Sequence, residues 1–192
     1  HCVKCPAGRW SATVGGLGVK SCHACGVGKY SSREAMTTSS VCTRCPAGTF
    51  GGKEAQSECT PCPDGTYSTI IGAASQHVCV ACKIGYGTNE IRTGCVKCKA
   101  GFYRSLHEST CTSCPPGSYS GTVGASSSSV CNRCPAGHTC DKGSNYIGDC
   151  YLCQVGKYAP LPGSDCIPCP EGTFTAEMGS EACSSCPEGK FS

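Results

Sequence analysis

The spacing of the cysteines constrains this chain more than any other feature. C-x-x-C recurs eleven times, starting at residues 2, 22, 42, 59, 79, 95, 111, 131, 150, 166 and 183, so successive starts lie 16 to 20 residues apart. Cys140 alone falls outside a pair. A period of this length marks a tandem array, in which each copy is a small unit that buries its surface against its neighbours. Residues 1–192 therefore read as one continuous array with an irregular copy at 131–153. The array is expected to be a segment cut from a longer, mature protein, truncated at both ends.

Each pair brings a second signature with it. Glycine stands three places after the second cysteine in all eleven copies: Gly8, Gly28, Gly48, Gly65, Gly85, Gly101, Gly117, Gly137, Gly156, Gly172 and Gly189. Two places further on comes an aromatic residue in nine of them: Trp10, Tyr30, Phe50, Tyr67, Tyr103, Tyr119, Tyr158, Phe174 and Phe191. The copies at 79–98 and 131–153 depart from this, with Tyr86 one place early and Thr139 in place of a ring. Cys-Pro-x-Gly reads as a type I turn with proline second and glycine fourth. The ring is expected to act as a lid over a cystine. Between pairs lie 12 to 16 residues with polar tips and no 3.6-residue period, which read as short irregular hairpins. The expected fold is small, disulfide-rich and mostly irregular, with short β-hairpins and almost no helix. The eleven copies should stack as an elongated, solenoid-like rod, at ~10 Å per layer on the order of 110 Å long.

Composition explains why cysteine must do the work of a core. Leu, Ile, Val and Phe together number 25 of 192 residues, too few to bury an ordinary apolar interior, whereas 23 residues are Cys. Only 15% of residues are charged, and Ser with Thr take their place. Such a chain belongs outside the reducing cytosol, in an extracellular or cell-surface setting. The net charge of +3 is spread over single Lys and Arg residues, which argues against nucleic acid as a partner. No apolar run reaches transmembrane length.

C-x-x-C can hold metal, exchange electrons or staple a chain. Two pairs 12 to 20 residues apart match the spacing of a zinc site built from four cysteines, but the secreted composition opposes zinc. A redox C-x-x-C opens a helix in a βαβ frame that is missing from this pattern. Haem attachment needs His directly after the second cysteine, and His23 lies inside its pair instead, while His1, His77, His107 and His138 are isolated. No nucleophile–base set, paired carboxylates, phosphate loop or calcium loop is present, so neither catalysis nor a cofactor is expected. Structural cystines remain. Residues three apart on an extended chain face opposite ways, which favours a ladder: Cys5–Cys22, Cys25–Cys42, Cys45–Cys59, Cys62–Cys79, Cys82–Cys95, Cys98–Cys111, Cys114–Cys131, Cys134–Cys150, Cys153–Cys166 and Cys169–Cys183. Spacing leaves open a rival in which two neighbouring pairs bridge first to third and second to fourth. In the ladder, Cys2 and Cys186 need partners outside the segment. Cys140 is the odd thiol, free for another chain, for a partner within 134–153 in place of Cys150, or for none.

Cys-Pro-x-Gly-Thr-Tyr/Phe followed by a loop and C-x-x-C resembles the ephrin-receptor-like cysteine-rich repeat, and its single loop is similar to the first module of tumour-necrosis-factor-receptor domains. The resemblance covers essentially the whole chain. It implies a disulfide-laddered extracellular array of the kind carried by protist surface proteins and animal secreted proteins, without implying a ligand. The leading expectation is a structural segment, a stalk, coat or filament subunit, with other copies of itself or other extracellular structural proteins as partners. The alternative is a receptor or adhesin ectodomain with its site on an irregular copy. Asn-x-Ser/Thr does not occur, but Thr37, Thr38, Ser39 and Ser40, and Ser126, Ser127, Ser128 and Ser129, are candidate O-linked glycan sites.

Overall fold

The structure, a computed structural model, describes residues 3–16 and 18–190. The chain forms two compact units, one of residues 1–82 with 88–96 and one of 83–87 with 97–192. Both are made from the same repeating turn. Its hydrogen bond runs from the N–H of the residue past glycine back to the residue past the second cysteine: Arg9 to Pro6 at 3.1 Å, Thr49 to Pro46 at 3.2 Å, Phe102 to Lys99 at 3.1 Å. The turn is thus shifted by one residue from the expected frame. Proline stands first and glycine third, with φ +77° at Gly8 and +80° at Gly101. A third position with positive φ demands glycine, whereas the first tolerates most residues. That is why Gly26, Lys83, Lys99 and Gln154 can replace proline while the glycine is constant.

The two residues past glycine form a strand that pairs, antiparallel, with the middle of the next C-x-x-C. In the first unit Arg9–Trp10 pairs with His23–Ala24, Lys29–Tyr30 with Thr43–Arg44, Thr49–Phe50 with Thr60–Pro61, and Thr66–Tyr67 with Val80–Ala81. In the second the same pairing joins Phe102–Tyr103 to Thr112–Ser113, Ser118–Tyr119 to Asn132–Arg133, His138–Thr139 to Tyr151–Leu152, Lys157–Tyr158 to Ile167–Pro168, and Thr173–Phe174 to Ser184–Ser185. Each hairpin ends at a cystine, and ten bridges follow the ladder order from Cys5–Cys22 to Cys169–Cys183. Among the described residues there is no α-helix. Five three-residue 3-10 turns lead into the first cysteine of a pair, as at Ser39–Val41 and Gln76–Val78.

Neighbouring repeats are sewn together through the backbone. The Gly8 N–H donates to Ser31 O at 2.7 Å, and the Gly8 carbonyl accepts from Cys25 N–H at 2.8 Å. One unit on, Gly101 donates to Ser120 O at 2.6 Å and accepts from Cys114 N–H at 2.8 Å. The carbonyl of a second cysteine accepts from a turn in the loop of the next repeat, as from Gly72 to Cys45 and from Gly143 to Cys114. That turn reaches still further. A Cβ built on Gly28 would stand 2.3 Å from Gly72 O, and one on Gly101 would stand 2.0 Å from Gly143 O, both two repeats away. Glycine is therefore required twice over, by its own φ and by a backbone lying against it.

The interior is sulfur and small side chains rather than rings. Cys25, Cys45, Cys62, Cys98, Cys114, Cys134 and Cys153 are almost fully buried, together with Ser31, Ser68, Ser120, Ala159 and Thr175, which all directly follow the expected lid. Trp10, Tyr30, Phe50, Tyr67, Tyr103, Tyr119 and Tyr158 are half-buried, Phe174 is exposed, and Phe191 lies outside the described residues. Trp10 lies against His23, with ring centroids 4.9 Å apart. The position past the ring faces sulfur: a Cβ on Gly51 would be 3.0 Å from Cys45 Sγ.

Arg104 is the large exception at that position. It is buried, and its guanidinium donates to Lys83 O and Tyr86 O through one nitrogen, at 3.1 and 2.8 Å, and to Glu108 O through Nε at 3.0 Å. Arg104→Met should strand these carbonyls and lower stability by roughly 3 kcal/mol, at about 1–3 kcal/mol for each buried group left unpaired. A fall in the melting temperature of the non-reduced protein checks it. Glu108, half-buried nearby, accepts from the N–H and hydroxyl of Ser105, and these bonds hold its carboxyl below the ordinary glutamate range. The sign follows: the turn is supported above the ordinary glutamate pKa and loses that support as pH falls through the lower, folded value. A carboxyl carbon titration by NMR should give a depressed midpoint, with faster Ser105 amide exchange below it.

A candidate functional site at the irregular repeat

The second unit brings three cysteine sulfurs together at the repeat that the sequence marks as irregular. Cys134 is bridged to Cys150, and the free thiol of Cys140 lies 3.2 Å from Cys134 Sγ, all three sulfurs lying within 4.8 Å of one another. Local chain geometry puts them there. Cys140 follows Thr139, three places past Gly137, and so occupies the position that faces the sulfur of its own repeat. Ser31, Gly51, Ser68, Ser120, Ala159 and Thr175 stand at the same place in other copies. Counting cysteines alone makes Cys140 a stray. Counting from the glycine would have revealed it as a cysteine set into a small-residue position.

Cys140 is buried, and its carbonyl accepts from Gly117 N–H at 2.9 Å, as in the regular copies. Burial pushes its thiol above the ordinary range, and the carboxylates of Asp149 and Asp141 add to this, while the Ser144 hydroxyl and the Gly117 N–H act the other way. Thr139, where a ring is expected, leaves a cleft of about 360 Å³ beside the thiol. Its walls include Asp141, Tyr151, Lys157 and Asp165. Tyr151 donates to Asp141 Oδ1 and Thr139 to Asp165 Oδ1, both at 3.5 Å. Burial, and then the charge of Asp141, raise the Tyr151 phenol above its usual value.

Three sulfurs so close could hold a soft metal ion only as thiolates. Two of them are tied in a cystine, which offers no thiolate to a cation. Among the other sequence candidates, Cys186 is a half-buried free thiol and Cys2 lies outside the described residues. The glycan candidates Thr37, Thr38, Ser39 and Ser40 are all exposed, as are Ser126, Ser128 and Ser129, while Ser127 is half-buried and accepts from Ser129 N–H.

Such a molecule, a hairpin array held by cystines with little apolar interior, is a secreted-type cysteine-rich repeat protein. The family model described as tyrosine-protein kinase ephrin type A/B receptor-like matches residues 34–79 and 156–192. The matched segments are ephrin-receptor-like cysteine-rich repeats, and the copies between them use the same turn, hairpin and ladder bonds. No curated protein matches the chain. Cystines and family together point to an extracellular or cell-surface location, and the family is not a catalytic one.

Proposed function

We propose that the chain is a structural segment of an extracellular protein, a stalk or coat element. Its partners would be other copies of itself or other extracellular structural proteins. Continuity of bonding carries this reading. Within each unit every step has a cystine and backbone bonds to the next repeat, and Gly8, Gly28, Gly48, Gly85, Gly101, Gly117 and Gly137 are each held under a turn two repeats on. Reinforcement at each step suits a part that bears load or sets distance, and a binding surface has no need of it. Electron microscopy of negatively stained, non-reduced protein over a concentration series tests the reading. Ordered side-by-side assemblies are expected. Separate particles at every concentration would overturn it in favour of a receptor or adhesin ectodomain. That second reading has one observation behind it, the polar cleft beside Cys140 where the repeat pattern breaks.

A further inference from the structure

We infer that Cys134, Cys140 and Cys150 form an internal thiol–disulfide exchange site, in which the Cys140 thiol displaces Cys150 from Cys134. Contact is already made: the attacking sulfur is 3.2 Å from the one it would bond. The step balances without an oxidant. Cys140 gives its proton to solvent, and its sulfur lone pair forms the Cys134–Cys140 bond. As the Cys134–Cys150 bond breaks, its electron pair leaves on Cys150, which takes a proton from solvent. One disulfide and one thiol exist before and after.

The exchange changes what the bridge connects. The Cys134–Cys150 bond joins residues 16 apart and ties one repeat to the next, whereas Cys134–Cys140 closes a span of 6 within a single repeat. One rung of the ladder opens, while the hydrogen bonds from Cys153 N–H to Gly137 O and from Gly163 N–H to Cys134 O, both 2.9 Å, still join these repeats. The thiol moves from Cys140, which is 1% exposed, to the half-buried Cys150. An interior thiol thereby becomes one that solvent reaches.

The groups facing Cys140 set the pace. Asp141 and Asp149 face it with negative charge, and Asp165, Lys157 and Tyr151 line the adjoining cleft. Burial and carboxylates oppose the thiolate, so exchange is slow at neutral pH and quickens as pH rises.

Alkylation with iodoacetamide followed by tryptic mapping tests the site on the non-reduced chain. Cleavage after Arg133, Lys142 and Lys157 places Cys134 with Cys140 in peptide 134–142, and Cys150 with Cys153 in peptide 143–157. The expected result is peptide 134–142 released with an internal disulfide and label on Cys150, at a rate that rises close to tenfold per pH unit between pH 7 and pH 9. The Cys140→Ser variant should abolish the Cys150 label. Serine stands at the equivalent position as Ser31, Ser68 and Ser120, so this variant keeps the fold. Label on Cys140 with the Cys134–Cys150 linkage intact at every pH would overturn the inference. So would label on Cys150 that persists in Cys140→Ser.

Discussion

Reduction of the cystines should unfold the protein outright, without denaturant and at room temperature. The ten bridges join residues 13 to 17 apart. In the chain-entropy account each such loop is worth about 3 kcal/mol. Ten of them come to about 30 kcal/mol, well beyond the 5–15 kcal/mol net stability of an ordinary domain. Little else could take their place, because among the described residues the buried side chains are the cysteines themselves with Ser, Ala, Thr and the single Arg104, and no aromatic ring is fully covered. Treatment with a phosphine reductant at neutral pH should collapse the amide proton dispersion of the whole chain. Persistence of the Thr49–Phe50 and Lys157–Tyr158 hairpin contacts after complete reduction would show that the hydrogen-bonded ladder holds by itself.

The second large effect is expected from one methyl group. Gly101→Ala places a Cβ 2.0 Å from Gly143 O, at a residue with φ +80°. Gly156→Ala is the matched control, since φ is +82° at the same place in its repeat and nothing lies within 4 Å of the new atom. Both variants bear the left-handed backbone cost of about 1–2 kcal/mol. Gly101→Ala alone must also push a turn aside, which adds roughly 1–3 kcal/mol. The readout is amide exchange in the oxidised protein at Cys114, which bonds Gly101 O, and at Gly143, which bonds Cys114 O. Protection at Cys114 should fall about 5- to 150-fold more in Gly101→Ala than at Cys169, which bonds Gly156 O, in Gly156→Ala. Equal losses would show that φ alone selects glycine.

The repeat and its hairpin are visible in the sequence because they depend on residues a few places apart. The bridge order joins residues 13 to 17 apart, and spacing favours it while leaving its rival open. Cys45, Gly48 and Phe50 declare a turn and a strand whatever surrounds them. The frame of the turn is less visible, since Cys-Pro-x-Gly suits glycine at either the third or the fourth position, and only the bond from Arg9 to Pro6 decides it. The contact of Gly28 with Gly72 is harder still, being made across 44 residues by a backbone oxygen that has no sequence signature. Arg104 was hidden for another reason. A long cation at a small-residue position has no precedent in the other copies, and its partners are carbonyls. Cys140 was legible in principle, but only once the copies are aligned on glycine.

The cover that Gly8, Gly28, Gly48, Gly85, Gly101, Gly117 and Gly137 receive from two repeats away also fixes the smallest part that can stand for the array. A pair of repeats keeps its hairpin and cystine, yet has no turn to close over the first glycine; three supply it. Gain or loss of one whole copy regenerates every such contact with the next turn along. Length can therefore be adjusted one module at a time without redesigning any joint.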